Sequence, residues 1–222
     1  MPSSPLLLGH RGSRISHEFS ENTLPSFELA LQHGCDGFEF DVRLTASGHA
    51  VVCHDTHHQG TLIAQAGRAQ LPNLPLLEDV VEQYGDRAFL DIELKDAGLE
   101  EKILSLLRQR KPQRPFVVSS FLRPVIMELR ARSETIPLGL ICDSQSQLSE
   151  WRETPVEYVI PEYSLVTISL LQEVHAAGKR LLVWTVNDPE AIRLMADFGV
   201  DGIISDDTQT LVRTIRLNGK GV

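Results

Sequence analysis

The 222-residue chain, 42% apolar and 23% charged, has the composition of an ordinary globular protein and the length for one sizeable core, at which single-domain α/β barrels are common. Its net charge of -9 argues against a nucleic-acid partner, because an acidic surface repels a polyphosphate backbone, and it requires any anion site to be locally basic. Three scattered cysteines, Cys35, Cys53 and Cys142, each in an apolar stretch, read as buried free thiols of a reducing compartment.

The chain opens on MPSSPLLLGHRG. This segment lacks a basic stretch, and its apolar run, Leu6 to Leu8, is too short for a signal peptide or a membrane span. Cytoplasmic residence is the default expectation. Leu6–Gly9 then reads as a first buried strand. Asn22 or Thr23 can cap a helix running through Phe27 and Leu31 to Gly34. Gly37–Leu44 is the second strand. Next come the turn Ser47-Gly48 and a β-like return over Ala50–Cys53, a hairpin that brings His54 back to about the level of Asp41. Further strands are expected at Ala88–Leu94, Phe116–Phe121, Leu138–Cys142, Tyr158–Pro161, Leu181–Val186 and Gly202–Ser205, mostly without alternation. Amphipathic helical patterns lie between them, at Leu77–Tyr84, Leu99–Arg110, Pro124–Arg132, Ser146–Trp151, Ile168–Ala177, Pro189–Phe198 and Thr208–Leu217. Gly34, Gly85, Gly178 and Gly199 stand where helices end. Eight strands alternating with eight helices predict a (β/α)8 TIM barrel forming one domain over residues 1–222, with a short hairpin extension after the second strand. A doubly wound open sheet would carry a Gly-rich fingerprint after the first strand, and none is present.

In such a barrel the chemistry sits at the C-terminal ends of the strands, and there the ionisable residues collect. The first strand ends in His10-Arg11-Gly12, the second carries Glu39 and Asp41, and the hairpin delivers His54-Asp55. The third strand carries Glu93 and Lys95, the fourth ends in Ser119-Ser120-Phe121, the seventh in Trp184-Thr185-Val186-Asn187 and the eighth in Ser205-Asp206-Asp207. Glu39 and Asp41, two apart, face one side of their strand. With Glu93 they would repel one another without a cation, and an all-carboxylate set suits Mg²⁺ or Ca²⁺ better than zinc. Arg11 and Lys95 suit a phosphate, and a pair of imidazoles, His10 and His54, suits acid–base cleavage of a phosphodiester. Taken singly, each feature has a plain structural reading: a polar strand face, a surface ion pair, a turn, a core tryptophan. Their equivalent positions on successive strands are what carry weight. His33 and His175 read as helix C-terminal histidines, and His17, His49, His57 and His58 as loop residues without a role.

These segments resemble the glycerophosphodiester phosphodiesterase family, of the bacterial cytoplasmic type. The matching stretches are Gly9–Gly12, Glu21–Leu24, Glu39–Val42, Val51–Asp55, Leu74–Glu78, Ile92–Lys95, Ser119–Phe121, Val183–Asn187 and Gly202–Asp206, in the family's order along nearly the whole chain. The resemblance implies a barrel that hydrolyses small-molecule glycerophosphodiesters to glycerol 3-phosphate and an alcohol. It implies Glu39, Asp41 and Glu93 as ligands of a divalent metal, His10 and His54 as the acid–base pair, Arg11 and Lys95 as phosphate ligands, and Phe121 and Trp184 as part of the wall around the glycerol or leaving group. Ser20, the His57-His58-Gln59-Gly60 stretch and Ser205-Asp206-Asp207-Thr208 depart from the family pattern, and the segment after His54-Asp55 is trimmed to a short connection.

Two other activities fit parts of the pattern. A phospholipase-like barrel giving a cyclic phosphate would need an exposed apolar or basic membrane-binding loop, and none is read from the sequence, so no stable membrane association is expected. A Schiff-base aldolase with Lys95 as nucleophile would need that lysine desolvated. A non-catalytic sugar-phosphate-binding barrel would have no use for the histidine pair. The chain carries no signal that sets an oligomeric state.

Overall fold

The computed structural model describes residues 4–15 and 17–217; residues 1–3, 16 and 218–222 of the expected domain lie outside them. Eight parallel strands run in chain order: β1 (Leu6–His10), β2 (Gly37–Leu44), β6 (Phe89–Leu94), β7 (Phe116–Ser120), β8 (Leu138–Cys142), β9 (Tyr158–Pro161), β10 (Arg180–Val183) and β11 (Gly202–Ser205). Each pairs with the next, and β11 pairs with β1, so the sheet closes on itself. Helices α1 (Leu24–Gln32), α2 (Leu77–Tyr84), α3 (Glu100–Gln109), α4 (Arg123–Arg132), α5 (Gln145–Ser149), α6 (Ile168–Ala176), α7 (Pro189–Phe198) and α8 (Thr208–Val212) follow the strands in turn. This is the expected (β/α)8 barrel.

Within this mostly unalternating set two strands do alternate, and in an inverted sense. On β2, Phe38, Phe40 and Val42 pack outward against the helices, while Glu39 and Asp41 point into the barrel; β6 repeats this with Leu90, Ile92 and Leu94 outward and Asp91 and Glu93 inward. The outward side chains join a layer containing Phe27 and Tyr84, with the Phe27 and Phe38 rings stacked at 4.3 Å. The barrel interior is apolar lower down, where Leu8, Phe89, Val117, Tyr158 and Leu182 meet. A closed barrel thus has two cores, and the carboxylates of the inner one gather toward the mouth.

The hairpin forms as expected. Strand β3 (Ala50–Val52) runs antiparallel to β2 with Val42 opposite Val52, and the Cys53 N–H donates to the Asp41 carbonyl at 3.0 Å. The segment after it is more than a short connection. It forms a two-stranded ribbon, β4 (His57–His58) with β5 (Thr61–Leu62), and two 3₁₀ turns over a small core of Val51, Ile63, Ala66, Leu71 and Leu74. His57 and His58 are therefore strand residues.

Other details sharpen or correct the expectations. Thr23, not Asn22, caps α1, accepting from the Ser26 N–H, while Ser26 Oγ accepts from the Thr23 N–H. Gly85 ends α2 with right-handed φ of -57°, whereas Gly34, Gly178 and Gly199 adopt positive φ. The last helical stretch changes to a π-helical turn after Val212, and β10 ends at Val183, short of Val186. Cys35 and Cys142 are buried free thiols, but Cys53 is only half-buried. His33 and His175 have side-chain partners, Thr208 at 2.8 Å and Asp201 at 2.8 Å.

Candidate active site

A cavity of about 140 Å³ opens at the C-terminal mouth, lined on one side by His10, Arg11, Glu39, His54, Glu93 and Lys95, and on the other by Phe121, Trp184 and the inward isoleucines of β8, β9 and β11. All nine sequence-predicted site residues lie in this cavity or in direct contact with its lining; Asp41, the one that does not line it, touches Lys95 and Arg11.

Arg11 and Asn22 are held with φ of 54° and 57°, a left-handed backbone uncommon for such residues and found where structure over-determines it. Here the Asn22 N–H and Ser26 Oγ both donate to the Arg11 carbonyl, at 3.0 and 3.1 Å, and the Arg11 N–H donates to Glu39 at 3.0 Å. Gly12 follows with φ of 83° and lies so close to α1 that a Cβ would stand 2.5 Å from Ser26 Oγ. The Arg11 guanidinium donates to Glu21 at 2.8 Å and stands 3.2 Å from Asp41.

Glu39, Asp41 and Glu93 are buried, with one oxygen of each lying within 4.8 Å of the others. Burial, and then the neighbouring Asp41, pushes the Glu93 carboxyl up to about 8. The same causes raise Glu39 well above the usual range. Asp41 goes the other way: burial opposes its charge, but Lys95, Arg11 and the Asn22 amide, which donates at 2.7 Å, outweigh it. Glu39 Oε1 is buried without a hydrogen bond, and Asp41 Oδ1 has none either, only the Lys95 ammonium at 3.3 Å; buried carboxylate oxygens call for partners. A hard divalent cation supplies one, so the donor set fits the metal that the sequence implies.

Lys95 Nζ contacts Glu93 at 2.7 Å and Asp41 at 3.3 Å. Burial disfavours its charge, yet Glu93 and Asp41 raise its affinity for the proton. A Schiff-base nucleophile needs the opposite, a neutral amine, so the aldolase reading loses its support. Trp184 donates from its indole to the Ile160 carbonyl at 2.9 Å and meets the edge of Phe121 at 5.4 Å. Lys95 Nζ sits 5.5 Å from the Phe121 ring centre, so the aromatic wall borders the cationic side.

Sequence reasoning placed the histidines but missed what holds them. His10 Nδ1 lies 2.7 Å from Asp206 Oδ1. Asp206 in turn accepts from Asn187 Nδ2 at 2.8 Å and Arg14 at 3.2 Å, and Asn187 Oδ1 accepts from the Asp206 N–H. Burial opposes the Asp206 charge, but His10, Asn187 and Arg14 hold its carboxyl well below the usual carboxylate range. An ionised Asp206 can only accept, so His10 donates to it from Nδ1 and turns Nε2, 3.8 Å from Glu39, toward the carboxylates. His54 Nδ1 meets Asp55 at 2.8 Å, and its side chain is 34% exposed. Arg43 pins the returning hairpin by donating to the His54 carbonyl and to Asp96, both at 2.8 Å. Asp206 and Asn187 do stand at strand ends in the sequence. What hid their role is that a contact spanning 196 residues leaves no local pattern.

The rim also carries apolar groups that the sequence did not single out: Ile15 and Phe19 after β1, and Leu122 and Met127 after β7, are exposed. Among the described residues no helix is long and apolar enough to cross a membrane.

Fold and mouth together define a barrel enzyme of the phosphoric diester hydrolase class. The family model for the glycerophosphoryl diester phosphodiesterase family matches residues 10–80 and 74–210. A glycerophosphodiester phosphodiesterase of Caldanaerobacter subterraneus subsp. tengcongensis is 29% identical, aligning with 96% of this chain and 99% of that protein. The crystal structure of a glycerophosphodiester phosphodiesterase from Thermotoga maritima superposes with a TM-score of 0.82 at 26% identity, covering 95% of this chain and 98% of that one. An Oleispira antarctica phosphodiesterase, solved in complex with the product sn-glycerol-3-phosphate, gives a TM-score of 0.82 at 27% identity over 96% and 97% of the two chains. The chain belongs to the glycerophosphoryl diester phosphodiesterase family.

Removing the carboxylate behind His10 tests its hold on the imidazole. Asp206→Ala is expected to lower kcat about 10- to 100-fold, the equivalent of a charge-assisted hydrogen bond of about 1.5–3 kcal/mol. KM should change little, because Asp206 touches His10, Asn187 and Arg14 and not the phosphate ligands Arg11 and Lys95. A normal kcat would show that Asp206 only supports the fold.

Proposed function

We propose that the chain, acting as one cytoplasmic catalytic domain, hydrolyses small glycerophosphodiesters to glycerol 3-phosphate and an alcohol, with Mg²⁺ or Ca²⁺ bound by Glu39, Asp41 and Glu93. The observation that carries this reading is His10, held by Asp206 through Nδ1, turning Nε2 toward three buried, converging carboxylates, two of whose oxygens lack a hydrogen bond. The family membership and the product bound by the Oleispira enzyme support the substrate class. Three cysteines without a disulfide are consistent with a reducing compartment.

In this mechanism Arg11 and Lys95 hold the phosphate against the acidic background and stabilise charge as it develops there. His10 Nε2 removes the proton from the attacking hydroxyl, either of water or of the substrate's own 2-position, the latter closing a cyclic phosphate that a water molecule then opens to glycerol 3-phosphate, and Asp206 stabilises the imidazolium that results. As the bond from phosphorus to the departing alcohol breaks, His54 gives that oxygen a proton, and its half-exposed position suits a group that must leave. A divalent cation held by Glu39, Asp41 and Glu93 would supply Lewis-acid stabilisation of the phosphate's charge. Phe121 and Trp184 exclude water from the apolar side.

Purified protein is given glycerophosphocholine, glycerophosphoethanolamine and glycerophosphoglycerol, with Mg²⁺, with Ca²⁺ and with a chelator. Glycerol 3-phosphate should form only where the metal is available. Failure to cleave any diester with either metal would refute the activity.

A further inference from the structure

Asp91 has no part in the mechanism so far. It lies on β6 two residues below Glu93, opposite Glu39 in register, and it lines the cavity beside Ile141, Ile160 and Ile204. Its side chain is fully buried. Ser119 Oγ donates to its Oδ1 at 2.5 Å, and its Oδ2 has no partner. A buried carboxylate oxygen left bare beside three isoleucines costs free energy unless a ligand or water completes it.

We propose that Asp91 Oδ2 pairs with the terminal hydroxyl of the substrate's glycerol, the one farthest from the phosphate, and so selects polyol diesters. This rests on the activity proposed above. Three features support it. One is reach: two residues along a strand span about 6.6 Å, comparable to a three-carbon chain from its ester oxygen to its far hydroxyl. A second is direction, because the enclosed end of the cavity holds Asp91 while the open end holds half-exposed His54, so the constant glycerol goes inward and the variable alcohol outward. The third is chemistry. A hydroxyl both donates and accepts, so it satisfies a carboxyl oxygen whether or not that oxygen carries a proton. The isoleucines offer nothing polar that could compete.

The test compares glycerophosphocholine with the phosphocholine ester of propane-1,2-diol, which keeps the 2-hydroxyl and lacks only the terminal one. Wild-type kcat/KM should favour glycerol by roughly 100-fold or more, since a site built around a hydroxyl strands its own polar group when that hydroxyl is missing. In Asp91→Val/Ser119→Ala, which removes both partners and leaves no stranded hydroxyl, the preference should collapse to within about tenfold. Asp91→Ala alone should shift it in the same direction and serves if the double variant is insoluble. A wild-type preference within about threefold overturns the proposal without any variant, as would be found if water satisfied Oδ2. So does a preference that survives the substitutions. Wild-type protein that cleaves neither ester with metal present overturns the activity itself; cleavage of both at similar rates overturns only the role of Asp91.

Discussion

His10→Ala is expected to lower kcat on glycerophosphocholine by about 10²–10⁴-fold while KM changes by less than about threefold. The asymmetry follows from the geometry. Arg11 and Lys95, which carry the cationic charge of the cavity, are untouched by the substitution, whereas the only group lost is the imidazole between Asp206 and Glu39. His54→Ala should be similarly damaging on this substrate but separable by the leaving group. A p-nitrophenyl ester departs as a stable phenolate and needs no proton, so on glycerophospho-p-nitrophenol His54→Ala should recover to within about tenfold of wild type while His10→Ala stays impaired. Recovery by His10→Ala instead would reverse the two roles, and near-normal turnover by both variants on glycerophosphocholine would refute the histidine mechanism altogether.

The second large effect is on stability, and its sign follows from the carboxylates. Glu93 is raised from 4.5 to about 8, Asp91 from 3.8 to about 7, and Glu39 well above 4.5, in each case chiefly by burial. The folded protein therefore binds more protons than the unfolded chain between about pH 4.5 and 8, and its stability falls as pH rises through that window. Asp206 and Asp41, held low, act in the opposite sense only at more acid pH, as they become protonated. Metal-free protein should thus melt at a lower temperature at about pH 8 than at about pH 5.5. A divalent cation binds the ionised carboxylates and displaces their protons, so its stabilisation grows with pH. At a concentration about 100 times its Kd it contributes about 2.7 kcal/mol, or about 5–10 °C in Tm for a chain of this size. Thermal melts with chelator, Mg²⁺ and Ca²⁺ at the two pH values give the comparison. A metal-induced shift no larger at pH 8 than at pH 5.5 would mean that the ion does not bind this carboxylate set.

The legibility of this molecule divides along a physical line. Strand and helix positions were readable because each answers to local rules: β-branched and leucine-rich runs, a capping Thr23 or its neighbour, Pro189 in the first turn of α7, Gly199 just past its end. The alternation of β2 and β6 is legible only in part: Glu39 and Asp41, two apart, read as facing one side, while the strands as a set read as mostly unalternating runs. Both faces of a barrel strand are buried, and periodicity alone does not say which face meets the helices. The segment after Asp55 reads as a short connection beside the longer insertion of the family it resembles; Ile63, Ala66, Leu71 and Leu74 are too widely spaced to show a period, yet they gather over Val51 into a small core.

Within the site, the sequence by itself determined which chemistry was available: His10-Arg11, Glu39 and Asp41, His54, Glu93 and Lys95 stand at successive strand ends, and closing the barrel brings such ends together. Only the tertiary structure decided how those groups are poised. It put Asp206 and Asn187 behind His10, Asn22 against Asp41, and Arg43 beneath His54, and it left one oxygen of Asp91, a residue of the cavity lining, without a partner. These are hydrogen bonds between residues distant in the chain. Their strength depends on burial and on distances of a few tenths of an ångström, and the order of residues along the chain carries neither quantity.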